Sequence, residues 1–230
     1  MKNLKYLIVG CGRSGTGFLA SVISASGKNE CGHEKIFNVY GINKNVSNEY
    51  ESSWYSVPYL NFLSPNVKIV HIVRHPKKVI ESFYRIGMFS SSIKQHLTNG
   101  YVEEHFLALE KSPELIMSRL KYVIAHRKMF NKYCNILQLE NELLRLQEYW
   151  FVWNKRVEQF VHHNKNDYIR VNIEILEKQR DKLEQFIGIN LNLEEPIEKN
   201  EKKHIKRSSI GAFELLPKIR ELSKFYGYKV

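Results

Sequence analysis

The residues best suited to chemistry stand at two places in the first third of the chain. Gly10-Cys11-Gly12-Arg13-Ser14-Gly15-Thr16-Gly17 is a glycine-rich run with one cation, the composition of a turn whose backbone N–H groups converge on phosphate oxygens. Arg74 closes a hydrophobic run and precedes His75-Pro76, with Ser82 eight residues further on. An arginine fork holds two anionic oxygens at once, so Arg13 and Arg74 suit a ligand with two separated anionic groups. Gly10, Gly12 and Gly15 satisfy G-x-G-x-x-G, the dinucleotide fingerprint. That fold needs a second strand ending in an acid roughly 20 residues on, and residues 26–34 read as turn chemistry with no hydrophobic strand. Gly10 and Gly15 also have the spacing of an NTPase phosphate loop. Thr16 stands where its lysine should follow, and Arg74 where a metal-holding aspartate would end the next strand. The dinucleotide reading fails its test; from the second, nucleotide binding survives and metal-dependent phosphoryl transfer does not.

These groups need a scaffold, and hydrophobic patterning supplies it. Tyr6 to Val9 predicts a strand, and Phe18, Leu19, Val22 and Ile23 form the stripe of a following helix. Val67 to Val73 predicts a second buried strand. Pro76 suits the first turn of a helix with the stripe Val79, Ile80, Phe83 and Ile86. Strand followed by helix, twice, argues for a parallel α/β sheet. Ser112-Pro113-Glu114 starts a helix with apolar positions Ile116, Leu120, Val123, Ile124 and Phe130. Another runs from about Glu140 to His163, its Leu143, Leu146, Trp150, Trp153, Val157 and Phe160 spaced by threes and fours. A strand at Tyr168–Val171, a helix around 174–187 and a last helix around 215–226 complete the chain. The expected architecture is a single domain, 1–230: a three-layer, P-loop-like parallel sheet flanked by helices, with a helical insertion at about 87–165.

Composition narrows the classes. Hydrophobic residues make up 43% and charged residues 26% of 230, as in an ordinary globular chain, and no apolar run has the roughly 18–20 residues of a membrane span. Tyr6 to Val9, broken at Gly10, is too short for a signal-peptide core. Three cysteines without C-x-x-C, and nine histidines without ligand spacing, predict neither a disulfide framework nor a metal site. The expected compartment is the cytoplasm. The net charge of +11 is concentrated in the first hundred and last thirty residues, which points to an anionic partner. Aspartate occurs only at positions 167 and 181. A nucleic-acid module is the competing class, but the chain shows no repeated basic-aromatic platform, zinc finger or RNA motif.

Gly12-Arg13-Ser14-Gly15-Thr16 resembles the 5′-phosphosulfate loop of the PAPS-dependent sulfotransferases. Arg74-His75-Pro76-Lys77-Lys78-Val79-Ile80-Glu81-Ser82 resembles their 3′-phosphate motif, with both motifs in family order. Lys206-Arg207-Ser208-Ser209-Ile210-Gly211-Ala212-Phe213 is similar to their C-terminal Arg-Lys-Gly…Gly-Asp-Trp segment, with Ser208 in place of glycine and Phe213 in place of tryptophan. The resemblance implies metal-independent sulfuryl transfer from 3′-phosphoadenosine 5′-phosphosulfate (PAPS), leaving 3′,5′-ADP. It implies donor contacts from Gly12, Arg13, Ser14, Gly15, Thr16, Gly17, Arg74, Ser82, Lys206 and Arg207, with Arg13 also on the leaving oxygen. Glu34, in Cys31-Gly32-His33-Glu34, resembles the catalytic glutamate of the protein-tyrosine sulfotransferases, and His33 is the rival base. The implied acceptor is a small molecule, carbohydrate or lipid bearing a hydroxyl or amine. Its pocket is expected from the helical insertion and residues 35–62. Ser52-Ser53-Trp54 either line that pocket or pack under the loop, Trp150 and Trp153 are expected in the core, and Asn154 is placed toward the cleft.

Overall fold

The computed structural model describes residues 3–26, 30–91, 112–193 and 209–230. Five short runs form one sheet in the order β2-β5-β1-β6-β7: β1 (Tyr6–Gly10), β2 (Cys31–His33), β5 (Tyr50–Ser52), β6 (Lys68–Val73) and β7 (Tyr168–Asn172). β3 (Phe37–Asn38) and β4 (Gly41–Ile42) make a separate antiparallel ladder. Every pairing in the five-stranded sheet is parallel, with Val9 opposite His71 and His71 opposite Arg170. Parallel strands require crossovers, and helices flank the sheet as the sequence predicts. The helices are α1 (Thr16–Ala25), α2 (Pro76–Arg85), α3 (Pro113–Cys134), α4 (Glu142–His163), α5 (Arg180–Ile187) and α6 (Pro217–Phe225).

The chain divides into two compact units. The first comprises Met1–His75, Val152–Ile197 and Leu222–Val230; the second comprises Pro76–Phe151 and Glu198–Glu221. In the first unit, the period of two sends Ile8, Val70, Ile72 and Val171 to one face of the sheet. There they join Leu19 and Ile23 of α1 and Leu183 of α5 in one buried cluster. Each such side chain contributes about 1.5–3 kcal/mol on burial. In the second unit Phe83, Phe89, Phe130 and Tyr149 pack as tilted and edge-to-face aromatics with centroids 5.0–5.8 Å apart. Buried Arg145 is satisfied there by the carbonyls of Leu139, Phe89 and Glu140.

Several sequence expectations need correction. Phe18 is 38% exposed, and Ile116 and Ile124 are each 43% exposed, so these positions lie off the buried stripes. The stretch 174–187 is a 3-10 helix (Ile173–Gln179), kinked at Ile175, followed by the shorter α5. Most consequential, residues 26–34 do contain a strand. Cys31-Gly32-His33 has little β propensity and becomes a strand by pairing with β5, which local sequence did not announce either. Its place argues further against a dinucleotide fold: β5 lies between β2 and β1, whereas that fold sets its first two strands side by side.

Candidate functional site

The glycine turn leaves the C-terminal end of β1 and enters α1. Gly10 is required by close packing, because a Cβ there would run into the backbone carbonyl of Ile72 on β6. Gly15 is required by its backbone, at φ 105, and stands at the N-cap of α1 without a side-chain cap. The first N–H groups of α1 are thus not capped by a side chain, and its first turn carries no acid. Arg13 sits at φ 66, uncommon for a residue with a Cβ. Ser14 is 1% exposed, and its buried hydroxyl lacks a hydrogen-bond partner among the described residues. A buried hydroxyl at a helix N-terminus with no protein partner fits an incoming oxyanion.

Arg74 follows β6. Its Nη1 donates to the Arg13 carbonyl at 2.8 Å. Desolvation, then the charge of Arg74, lowers the pKa of Arg13. Two guanidinium groups brought together in this way favour a multiply charged anion. Beside them the Glu174 carboxylate accepts the His75 N–H at 3.2 Å and the Tyr228 hydroxyl at 3.0 Å, tying the end of the chain to the tip of β6.

On the other side of β1, β5 links the turn to Glu34. Ser52 Oγ donates to the Thr16 carbonyl at 2.8 Å, and the Ser52 carbonyl accepts the Glu34 N–H at 3.0 Å. The His33 ring lies against Gly17, whose added Cβ would sit 3.3 Å from it. His33 Nε2 is 3.7 Å from Glu34 Oε1. Burial pushes the Glu34 carboxyl up to about 7, opposed by a hydrogen bond from Trp54 and reinforced by Glu51. Burial, then Lys35, lowers the His33 pKa, so the imidazole is neutral at neutral pH. A carboxyl titrating near neutrality is matched to general-base work.

The structure therefore gathers Gly12 through Gly17, Arg74, His33 and Glu34 within the first unit. Ser82 lies half-buried on α2 of the second unit. Lys206, Arg207 and Ser208 lie outside the described residues, as does Gly27. Phe213, at the end of that C-terminal motif, has Lys77 5.8 Å from its ring centre. Trp150 and Trp153 are each fully buried, and Trp54 is 6% exposed. Asn154 requires correction: it is 1% exposed and bonded inside the protein instead of facing a cleft.

Two features escaped sequence reasoning. Buried Glu51 accepts the N–H groups of Ile36 and Phe37 at 2.8 and 3.4 Å, holding the segment that carries Glu34. A polar chain also runs under the glycine turn. Asn154 Nδ2 donates to Cys11 Sγ at 3.2 Å, and Asn154 Oδ1 meets His71 Nε2 at 3.0 Å. His71 Nδ1 lies 3.3 Å from the Glu158 carboxylate, which also accepts from Arg170 at 3.0 Å. A histidine between the apolar pairs Ile69-Val70 and Ile72-Val73 was the available signal. A cavity of about 280 Å³ between residues 57–61 and the last turns of α4 includes none of the glycine-turn residues.

No family model and no curated protein sequence matches the chain. Among solved structures, a sulfotransferase domain from the curacin biosynthetic pathway aligns with a TM-score of 0.57 over 99% of this chain and 98% of that one, at 13% sequence identity. The two chains share an α/β fold. No helix among the described residues is long and apolar enough to cross a membrane.

Proposed function

We propose that the chain is a sulfotransferase that uses PAPS and works without a metal ion. The observation that carries this reading is the convergence of Arg13 and Arg74 on one glycine turn, where the helix N-terminus has no side-chain cap and the buried Ser14 hydroxyl has no hydrogen-bond partner among the described residues. Gly12 to Gly17 would hold the 5′-phosphosulfate through backbone N–H groups, and Arg74 with Ser82, Lys206 and Arg207 would hold the 3′-phosphate. On this reading the 230 residues form a single sulfotransferase-like domain, and 87–165 is its helical insertion.

The donor supplies the sulfuryl group. The acceptor oxygen or nitrogen bonds to sulfur as the bond from sulfur to the bridging phosphate oxygen breaks, and 3′,5′-ADP leaves. Arg13 stabilises the charge that develops on that oxygen. Glu34 receives the acceptor proton, a contribution of about 10²–10⁴ in rate, and neutral His33 lies beside it. The acceptor class is a small molecule, carbohydrate or lipid in the cytoplasm.

The test is formation of 3′,5′-ADP from PAPS across a panel of alcohols, phenols, sugars and amines, with and without EDTA. Turnover that survives EDTA and falls about 10²–10⁴-fold in Glu34→Gln, with 3′,5′-ADP binding intact, supports the reading. A Glu34→Gln variant of full activity removes Glu34 from the base role. Inactivity confined to His33→Ala transfers that role to His33. Binding of 3′,5′-ADP with no turnover on any acceptor leaves a nucleotide-binding protein.

A further inference from the structure

Glu34 stands at φ 57, a conformation that a side-chain-bearing residue keeps only when its surroundings impose it. Its backbone N–H is tied to Ser52, and the residues after it are tied to Glu51. The carboxylate itself is held from a third direction. Trp54 opens the 3-10 helix Trp54–Phe62 that follows β5, and its Nε1 donates to Glu34 Oε1 at 2.7 Å. The indole is rigid. It packs on Tyr55 with ring centroids 4.2 Å apart, and its residue's carbonyl accepts from Trp153 Nε1 at 2.7 Å. Trp153 is fully buried on α4. A rigid donor on one carboxylate oxygen fixes the direction in which the other is presented.

We propose that Trp54 is the positioning residue for the base: its indole holds Oε1 of Glu34 so that Oε2 meets the acceptor proton. The proposal rests on the reading of Glu34 as base. It also assigns Trp54 a role other than lining the acceptor pocket. The groups facing the Glu34 carboxyl are Glu51 from β5, His33 from its own segment, and the uncharged indole from the 3-10 helix. Among these the indole stabilises the ionised form by a direct hydrogen bond. Its loss should leave burial to push the carboxyl higher.

The experiment follows the titration of Glu34 by ¹³C NMR in glutamate-labelled protein without nucleotide, the resonance being assigned by its absence in Glu34→Gln. The variants are Trp54→Phe and Trp54→benzothienylalanine, the second keeping the shape of the ring and replacing only the N–H. Trp153→Phe is the control, because it loosens the same packing without touching the carboxylate. The expected midpoint, about 7 in the unaltered protein, rises by about one unit in both Trp54 variants and stays in place in Trp153→Phe. The kcat for 3′,5′-ADP formation falls about 10–100-fold in the Trp54 variants with the KM for PAPS unchanged. An unmoved midpoint in the benzothienylalanine variant, an equal shift in Trp153→Phe, or an unchanged kcat overturns the proposal. An active Glu34→Gln instead overturns the base reading, and the two failures are separate because the midpoint is read without turnover.

Discussion

Arg74 Nη1 donates to the carbonyl of Arg13 at 2.8 Å, so a residue beyond the end of β6 props the backbone of the glycine turn that leaves β1. The two motifs, 61 residues apart in the chain, become one cationic site because β1 and β6 pair in parallel and end at the same edge. Crevices outside the carboxyl ends of parallel strands are where open α/β sheets bind ligands. On the proposed function Arg74 would then serve twice, in the shape of the turn and in holding a phosphate.

Arg74→Ala should therefore lose discrimination between nucleotides. In a thermal-shift titration 3′,5′-ADP is expected to stabilise the unaltered protein more than 5′-ADP, with or without Mg²⁺. The alanine variant should lose about 1.5–3 kcal/mol of that preference, roughly 10–100-fold in Kd. Equal stabilisation of the unaltered protein by the two nucleotides would dismiss a 3′-phosphate site.

Glu34 carries a stability cost that depends on pH. Its folded-state pKa, about 7, lies above the ordinary 4.5, so between those values the folded chain keeps a proton that the unfolded chain has released. The contribution of this group to stability then declines as pH rises from about 4.5 to 7. Glu34→Gln removes the dependence and keeps an oxygen for Trp54. Its Tm should match the unaltered protein near pH 4, exceed it increasingly up to about pH 7 and level off above; a constant difference across that range would contradict the assigned shift.

Glu158 has the opposite sign. Burial alone would raise its pKa, but hydrogen bonding and charge from His71 and Arg170 outweigh burial and hold it at about 2. The stabilisation is present above the ordinary 4.5 and lost as pH falls toward 2. Glu158→Gln should destabilise at pH 7 by about 3–5 kcal/mol, because it leaves His71 and Arg170 without their carboxylate. In urea denaturation the deficit should shrink between pH 4.5 and 2. A deficit under about 0.5 kcal/mol at pH 7, the size of an ordinary surface substitution, would place the pair on the solvent side of the energetics.

Gly10→Ala should destabilise by about 1–3 kcal/mol through overpacking, since the new Cβ meets the Ile72 carbonyl across the β1–β6 pair and neither backbone can move independently. Chemical denaturation measures this directly. A neutral substitution would show that the two strands separate at little cost.

Local chemistry was enough to read β1, α1, β6 and α2, because each is an apolar pattern bounded by glycine or proline. The glycine turn and Arg74 were legible for the same reason: their residue types are unusual where they stand. The sequence by itself thus determined a parallel α/β chain with two cationic strand ends. Tertiary structure alone decided how the carboxylate side is built. Cys31-Gly32-His33 is a strand only because β5 pairs with it, and β5 is itself a strand through its pairing with β1 and β2. Glu51 is held by backbone N–H groups about 15 residues upstream, Trp54 reaches back to Glu34, and Asn154 meets Cys11 from α4. Such contacts join side chains far apart in sequence whose individual types are ordinary, and no periodicity or propensity encodes a partner at that separation.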